Sequence, residues 1–250
     1  MSHLRRIVLI LVWAPNLLAQ GQPPSNHPPS ARIWIGRHQE IEDYLRTAEC
    51  IRMELLGPNR ARCTLRPGGP AARMAWKPLP PGLHRGFRES YKAEIAAYEF
   101  DKLLSTEMVP PTVERELEGS VGAAQLWVEN IDSIKADEGP TETHRASWEI
   151  QLARMTMFDN LIGNRERNRG NMLRDGAWSL ILLDHSRAFG IETALYHKMN
   201  VIDPAYWAQI ERLTRQQLDG ALRAWLDPNE VSAILERREK MRADLKPRMK

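Results

Sequence analysis

The sequence has few of the residues on which several common classes of protein depend. Its 250 residues include two cysteines, too few for a disulfide framework or a cysteine-based zinc site. Neither a His-x-x-x-His nor a His-Glu-x-x-His spacing occurs, so the usual helical zinc motifs are missing as well. No apolar run reaches the roughly 20 residues that a membrane-spanning helix needs. These absences argue against a small disulfide-rich protein, a zinc-finger protein and a multi-span membrane protein.

The excess of positive over negative charge is also small. The chain has 35 Lys and Arg against 32 Asp and Glu, which gives a formal charge of +3, and 42% of its residues are hydrophobic. This balance is typical of a folded globular protein and excludes a wholly disordered chain or a collagen-like repeat. The length is sufficient for one large domain or for two small ones that share a core.

The first thirty residues have the features of an export signal followed by a linker. Arg5 and Arg6 precede a mostly apolar run, and Leu17-Leu18-Ala19 resembles a signal-peptidase site. We expect residues 1–19 to be removed, which lowers the formal charge to about +1; an uncleaved anchor and a mis-assigned start codon are the alternatives. Residues 20–30 contain four prolines and predict an extended linker. The expected location is periplasmic or secreted, with no stable membrane span after cleavage.

Apolar periodicity predicts an α+β part followed by a mainly helical part. Residues 88–104 have the spacing of an amphipathic helix with Glu94 inside it. Residues 109–114 predict an edge strand, because prolines cannot donate to a β-ladder. The strands of the first part are predicted at residues 49–55, 61–65, 72–77, 109–114 and 122–129. The second part is predicted to contain a strand at residues 178–183 and helices at residues 147–161, 204–214, 216–226 and 229–245.

The two cysteines fall on neighbouring predicted strands. Gly57-Pro58-Asn59 is a turn signal, so the strands on either side form a hairpin in which Cys50 and Cys63 are close to opposite each other. A disulfide is geometrically reasonable there, and export would permit it. Two buried free cysteines are the alternative.

The densest polar cluster lies between residues 163 and 190. The loop GNRERNRGN, which contains Glu166 and Asn171, is followed after a hydrophobic segment by DHSRAFG, which begins at Asp184. A loop and a hairpin of this kind can place several oxygen ligands around one pocket. Magnesium and manganese prefer such ligands, with phosphate oxygens and water completing the shell. The cluster therefore indicates a divalent metal site for a phosphorylated ligand.

This stretch resembles the catalytic and metal-binding loops of the protein-kinase-like superfamily. In that superfamily a catalytic Asp precedes a metal-binding Asn by five positions, and a second Asp opens the next loop. Glu166 precedes Asn171 by five positions, and Asp184 follows Asn171 by thirteen. The sequence of these two loops is most similar to the atypical branch of the superfamily, which contains the Golgi casein kinases, the phosphatidylinositol 3- and 4-kinases and the HipA-type kinases. Within that branch it most resembles exported bacterial members. The resemblance covers about residues 44–245. It implies a two-lobed fold with an N-lobe at residues 31–130 and a helical C-lobe at residues 131–246.

The resemblance implies that ATP is bound between the lobes. Lys77, at the end of the third strand, would contact the α- and β-phosphates and would be held by Glu94 of the first helix. Residues 125–129, which include Trp127 and Glu129, would form the end of the last strand and the hinge that lines the adenine. Only Gly57 represents the glycine-rich phosphate loop, which is closer to the atypical branch than to ordinary protein kinases.

The resemblance also assigns the metal and the acceptor. Asn171 and Asp184 would bind Mg²⁺ or Mn²⁺, and Glu166 would orient the acceptor hydroxyl. The family has Asp at the position of Glu166. The extra methylene moves the carboxylate by about 1.5 Å, and a misplacement of about 1 Å can reduce a rate on the order of a hundredfold. Two functions therefore remain open: phosphoryl transfer to a protein or small-molecule hydroxyl, and a pseudokinase that binds a nucleotide or a partner without catalysis.

The remaining charged residues of the cluster have simpler interpretations. Three arginines are candidates for holding phosphate charge: Arg165, Arg167 and Arg169. An RNA-binding loop is the alternative. Because no aromatic residues are interleaved with these arginines, no nucleic-acid partner is expected. Asp159 is expected to be structural at a helix end, and His185 to be a packing residue. The acceptor is not identified by any motif, and a monomer or weak oligomer is expected.

Overall fold

A computed structural model describes residues 31–135 and 138–246. The predicted signal segment and the proline-rich linker lie outside the described residues. Among the helices of the described part, none has both the length and the apolar character that a bilayer crossing requires.

The described residues form two packed parts, a sheet with helices on it and a helical part with a small sheet of its own. In chain order the elements are α1 (His38–Thr47), β1 (Cys50–Gly57), β2 (Arg60–Leu65), β3 (Arg73–Lys77), β4 (Gly82–His84), β5 (Phe87–Glu89), α2 (Tyr91–Leu103), β6 (Thr112–Leu117), β7 (Ser120–Leu126), β8 (Ile131–Ser133), α3 (Glu142–Ile162), β9 (Met172–Asp175), β10 (Leu180–Leu182), α4 (Pro204–Arg212), α5 (Arg215–Leu222) and α6 (Pro228–Leu245).

The first sheet has five antiparallel strands in the order β1-β2-β3-β7-β6. The five strands predicted from alternation are all present, and β6 is an edge strand as predicted, although it begins just after its two prolines. Lys77 is the last residue of the central strand β3 and pairs with Ala123 of β7. Lys77 lines cavities together with Asp184 of the second part, so this end of β3 faces that part.

Helix α2 connects the two parts of the molecule. The Ser90 side chain caps its first turn by accepting the backbone N–H of Lys92 at 3.0 Å. Small and aromatic residues such as Ala96 and Phe100 are fully buried in a core that they share with α3, α4, α5 and α6. The helix next to the sheet is thus also part of the helical core.

The helical part is organised around the C-terminal end of α3. Gly163 ends this helix in the left-handed conformation with φ of 67°, where glycine avoids the steric cost of a side chain. The polar loop then leads to β9 and β10, which form a three-stranded sheet with β8 in the order β10-β9-β8. Capping boxes at Thr214 and Asp227 begin α5 and α6. The α+β class and the two-lobed arrangement predicted from the sequence are confirmed, whereas the lobe boundary near residue 130 stays a prediction.

Three short features differ from the sequence prediction. The helix predicted from residue 88 begins at Tyr91, because the β4–β5 hairpin occupies residues 82–89. Arg85 and Gly86 form its turn with φ of 52° and 85°. The strands β8 and β9 were not predicted, since three or four residues are too few to establish an alternating pattern.

Cys50 and Cys63 form a disulfide with Cα atoms 5.7 Å apart. The expected hairpin register is shifted, because Cys63 pairs with Met53 while Cys50 pairs with Leu65. An irregularity between Cys50 and Arg52 brings Cys50 back towards Cys63. Of the two alternatives, the disulfide is the one that the structure contains.

Candidate active site

Lys77 and Glu94 form a buried ion pair between the sheet and α2. The Nζ atom of Lys77 lies 2.6 Å from Oε1 of Glu94, and the exposed fractions of the two side chains are 12% and 1%. Burial raises the pKa of Glu94, and the nearby Lys77 charge opposes this effect. Because α2 is capped at Ser90, Glu94 has a fixed position opposite the end of β3.

The second carboxylate oxygen of Glu94 reaches the loop that follows β10. It accepts the backbone N–H of His185 at 3.1 Å. The neighbouring residue, Asp184, has a positive φ of 57°, which is uncommon for a residue with a side chain. Glu94 therefore connects β3, α2 and the segment that carries Asp184.

Asp184 is held as a carboxylate beside the lysine. Burial alone would raise its pKa, but the charge of Lys77, a hydrogen bond from the Ser186 hydroxyl and the charge of Arg60 together keep the pKa below its usual value. The Ser186 hydroxyl donates to Oδ1 of Asp184 at 3.1 Å. An ionised aspartate is the form that binds a divalent cation.

A cavity of about 690 Å³ lies between the two sheets. The members of its lining that the sequence predicted are Lys77, Trp127, Glu129, Asn171 and Asp184. Glu94 lines an adjoining cavity of about 560 Å³ together with Lys77 and Asp184. Apolar walls come from both sides of the first cavity, with Leu56 and Ala75 on the large sheet and Ile131, Leu173 and Leu183 on the small sheet and its flank.

Glu166 lies on the other side of the metal candidates. A small cavity of about 150 Å³ is lined by Glu166, Asn171 and Asp184 among others. Both oxygens of Glu166 accept from Nη1 of Arg187, at 2.7 and 2.6 Å, and Arg187 also donates to Glu89 at 2.6 Å. The structure thus brings Glu166 to the same region as Asn171 and Asp184, but with its carboxylate engaged by an arginine.

Arg167 is a structural residue, so the expectation that it holds phosphate charge is wrong. Its side chain is 2% exposed and donates to both oxygens of Asp159 at 2.8 Å. It also donates to the carbonyls of Asn171 and Leu183, at 3.0 and 2.8 Å. Arg167 therefore joins α3, the polar loop and the end of β10. The partner in this network, Asp159, has the structural role that was predicted.

The other two arginines of the polar loop, Arg165 and Arg169, are more exposed to solvent than Arg167. Arg165 lies 3.3 Å from Glu192 and over the ring of Tyr196, while Arg169 is exposed at the short 3₁₀ turn that leads to Asn171. Asn168 caps this turn by accepting the backbone N–H of Gly170 at 2.8 Å. The turn sets the direction in which Asn171 leaves the loop.

His185 is a packing residue, as the sequence predicted. It is fully buried, its ring meets Phe158 edge-on, and its Nε2 accepts from Arg167 at 2.9 Å. Burial, together with the charges of Arg167 and Lys77, lowers its pKa well below the usual value. The ring is therefore neutral and supports the segment beside Asp184 without acting as a ligand.

The hinge residues are connected to an arginine of β3. Glu129 accepts from Arg73 at both carboxylate oxygens, with Arg73 Nε at 2.8 Å from Oε1. The guanidinium groups of Arg73 and Arg62 lie 5.4 and 5.2 Å from the ring centroid of Trp127, within cation–π range. Trp127 and Glu129 line the cavity from within this charged cluster.

Several residues that line the cavity were not named from the sequence, among them Arg60 and Ala75. Arg60, next to the β1–β2 turn, lines both large cavities, and Ala75 and Gln125 face each other across β3 and β7. Arg60 could have been found from its place beside the turn between the first two strands. Ala75 could have been found because it precedes Lys77 by two residues and so shares its face of the strand.

The donor set fits a magnesium or manganese ion that is shared with a phosphate. In the described part of the chain, no three His, Cys, Asp or Glu side chains converge as a complete metal site. Magnesium is usually held by one or two carboxylates, water and substrate phosphates rather than by a complete protein cage. Asp184 and Asn171 supply oxygen donors of this kind on one wall of the cavity.

Solved structures of kinases share this fold. No protein-family model and no curated protein matches the chain. The Golgi casein kinase with Mn/ADP bound matches with a TM-score of 0.60 at 14% identity, covering 81% of this chain and 74% of the other. Hydra Fam20 with sugar matches with a TM-score of 0.63 at 14% identity, covering 84% and 88%. The Helicobacter pylori proinflammatory kinase CtkA matches with a TM-score of 0.52 at 11% identity, covering 78% and 93%. The chain therefore has an atypical protein-kinase-like fold, which confirms the fold implied by the polar loops.

Proposed function

We propose that this chain binds ATP with a divalent metal between its lobes and transfers the terminal phosphoryl group to a hydroxyl of a protein or small molecule. The observation that carries the proposal is the convergence of the buried Lys77–Glu94 pair with Asn171 and Asp184 on connected cavities. A kinase-like fold alone would not support it, since folds host many functions.

Each polar residue has a specific role in this proposal. Lys77, held by Glu94, donates to phosphate oxygens, and Arg60 adds positive charge from the β1–β2 turn. Asn171 and Asp184 hold the metal. When bound, that metal neutralises charge on the phosphate oxygens, which is the chemistry that such a site supplies.

In this proposal the nucleobase packs between the apolar walls of the cavity. Leu56 and Ala75 lie on one side and Leu173 on the other, so a flat ring would be covered on both faces. A small residue at Ala75 leaves room for the ring between the walls. Burial of an aromatic ligand between aliphatic side chains is the usual source of affinity in such pockets.

Glu166 orients the acceptor hydroxyl in this proposal. It is 47% exposed on its side chain and lines the small cavity next to Asn171 and Asp184. The Glu166 carboxylate can accept the hydroxyl proton if Arg187 leaves one of the two Glu166 oxygens to the acceptor. Positioning of this kind contributes typically 10²–10⁴-fold, as an order-of-magnitude estimate.

A pseudokinase is the second candidate, and one observation favours it. Both oxygens of Glu166 already accept from Arg187, which is itself held by Glu89. If this contact persists when a nucleotide is bound, Glu166 has no free carboxylate oxygen directed at an acceptor. The chain would then act through binding alone.

Nucleotide binding is tested by thermal shift with ATP and Mn²⁺. A ligand at a hundred times its Kd stabilises the folded state by about 2.7 kcal/mol, which for a domain of this size raises Tm by on the order of 5 °C. We expect such a shift in the parent and its loss in Lys77→Ala and Asp184→Asn. Lys102→Ala is the matched control, because Lys102 is also a partly buried lysine paired with a glutamate but does not line the cavity. No shift in the parent would overturn the proposal.

Turnover distinguishes the enzyme from the pseudokinase. We expect ATP consumption by the parent and a decrease of about a hundredfold or more in Glu166→Gln. Glu192→Gln, at an exposed glutamate paired with Arg165, is the control and should retain the parent rate. An inactive parent together with an active Glu166→Asp would instead support the pseudokinase.

We also propose that the protein is exported, on the strength of the charged and apolar segment at residues 1–19. Sequencing of the mature amino terminus tests this, with Gln20 as the expected first residue. A mature chain that begins at Met1 in the cytosol would contradict it.

A further inference from the structure

Gln125 is a buried amide on the wall of the nucleotide cavity. It lies on β7, opposite Ala75 of β3, and is 3% exposed. Its Nε2 donates to Oγ1 of Thr112 at 3.0 Å, and the Thr112 hydroxyl donates to the carbonyl of Pro110 at 2.9 Å. Thr112 is fully buried, so no solvent competes for this chain of hydrogen bonds.

This series of hydrogen bonds fixes which end of the Gln125 amide faces Thr112. A threonine hydroxyl has a single hydrogen, and here that hydrogen goes to the Pro110 carbonyl. Oγ1 can then only accept, so it selects the NH₂ end of Gln125. A flipped amide would place two acceptors against each other unless the hydroxyl left Pro110, which would leave a buried carbonyl without that donor. Gln125 Oε1 is therefore the amide atom that is left for a ligand.

We infer that Gln125 is a specificity-determining residue that selects a nucleobase with an exocyclic amino group over one with a carbonyl at the same position. This inference rests on the proposed nucleotide site. Oε1 accepts from the 6-amino group of adenine, and the second N–H of the amide is suited to a neighbouring ring nitrogen. Guanine would present its 6-carbonyl oxygen to Oε1, which places two acceptors together.

The test compares ATP and GTP, each with Mn²⁺, by calorimetric titration. We expect the parent to bind ATP about tenfold or more tightly than GTP, in the range of a good amide–base pair. Thr112→Val removes the acceptor that fixes the amide, so ATP affinity should fall while GTP affinity rises. Gln125→Leu should bring the two affinities close to each other. Opposite changes for the two nucleotides cannot come from a simple loss of structure, which would weaken both.

Two further variants complete the design. Thr112→Ser keeps the hydroxyl and should retain the parent preference, which shows whether loss of the hydroxyl or of the methyl group matters. Thr64→Val makes the same change at a half-buried position of the same sheet that does not line the cavity, and should change neither affinity.

The outcomes separate the two claims. Equal affinity of the parent for ATP and GTP, or a parallel loss of both in Thr112→Val, overturns the role of Gln125 but leaves the nucleotide site standing. Failure of the parent to bind either nucleotide overturns the proposed function and this inference with it.

Discussion

Two buried carboxylates of α2 show at the scale of single residues how the surroundings decide what a side chain does. Glu94 is paired with Lys77, whereas Asp101 accepts the backbone N–H of Met108 at 3.2 Å and has no lysine or arginine within salt-bridge distance among the described residues. Burial, with a contribution from the nearby charge of Glu107, raises the pKa of Asp101 to about 7. One carboxylate is part of the candidate site, and the other is a source of pH-dependent stability.

Asp101 is expected to contribute a part of the fold's stability that decreases as the pH rises from about 4 to 7. The folded-state pKa of Asp101, about 7, lies above the reference value of 3.8, so the folded chain binds this proton more tightly than the unfolded chain. Its stabilising effect is complete below about pH 4 and is lost as the pH rises through 7, by at most about 1.4 kcal/mol per pH unit. Asp101→Asn should remove this part of the slope in urea unfolding measured between pH 5 and 8.

The control for this prediction is an exposed aspartate. Asp132→Asn, at a side chain that is 71% exposed, should leave the pH dependence of the unfolding free energy unchanged. A slope in Asp101→Asn that equals the parent slope would show that another group is responsible.

Residue roles could be predicted where they depend on local spacing. Lys77, Glu94, Asn171 and Asp184 were identified from their order and spacing, and the structure brings them together. The burial of Arg167 could not be predicted, because it depends on carbonyls and a carboxylate that three separate elements bring together. The amide orientation of Gln125 depends in the same way on a contact across two strands.

Helix α6 shows at the scale of elements how a distant segment supports the candidate site. Its Arg237 is fully buried and donates to the carbonyl of Leu161 at 2.6 Å, at the end of α3. It also donates to the carbonyls of Gly190 and Glu192, at 2.9 and 2.7 Å, in the segment after Asp184. Burial lowers the pKa of Arg237 to about 10, which still leaves it charged at neutral pH. One side chain thus joins the two segments that flank the polar loop.

Arg237→Met is expected to destabilise the fold by about 3–5 kcal/mol, because one buried and two partly buried carbonyls lose a charged donor at once. Urea unfolding of the parent and the variant measures this change. Arg242→Met provides the comparison on the same helix, at a side chain that is 41% exposed, and should change stability by about 0.5 kcal/mol or less. Similar losses in both variants would show that the carbonyl contacts of Arg237 are not the cause.

Elements with a long periodic pattern were predictable and short ones were not. The five strands of the large sheet and the helices α3 to α6 follow their apolar patterns. The β4–β5 hairpin overlaps the predicted start of the helix at residues 88 and 89, and its turn depends on the backbone conformation of Arg85 and Gly86. Local patterning cannot decide between such alternatives when only three residues of strand are present.

At the scale of the whole molecule, the two lobes share their cores. Ala96 and Phe100 of α2 belong to the large core of the helical lobe. In the other direction, Ile181 of β10 belongs to the core under the large sheet, together with Trp34 and Met74. The sequence patterns predicted the apolar faces, but the pairing of these faces across the lobes follows only from the three-dimensional arrangement.

Because the cores cross the lobe boundary, we expect the described fold to unfold in a single transition. Tryptophan fluorescence and far-UV circular dichroism should give the same urea midpoint, since Trp76 lies in the sheet lobe and Trp207 in the helical lobe.

Reduction of the Cys50–Cys63 disulfide, with a sequence separation of 13, should lower stability by about 3 kcal/mol. It should move the midpoint without dividing the transition, because the sheet cannot unfold without exposing α2. The double variant Cys50→Ala/Cys63→Ala should be insensitive to the reducing agent, and two separate midpoints after reduction would show that the lobes are independent.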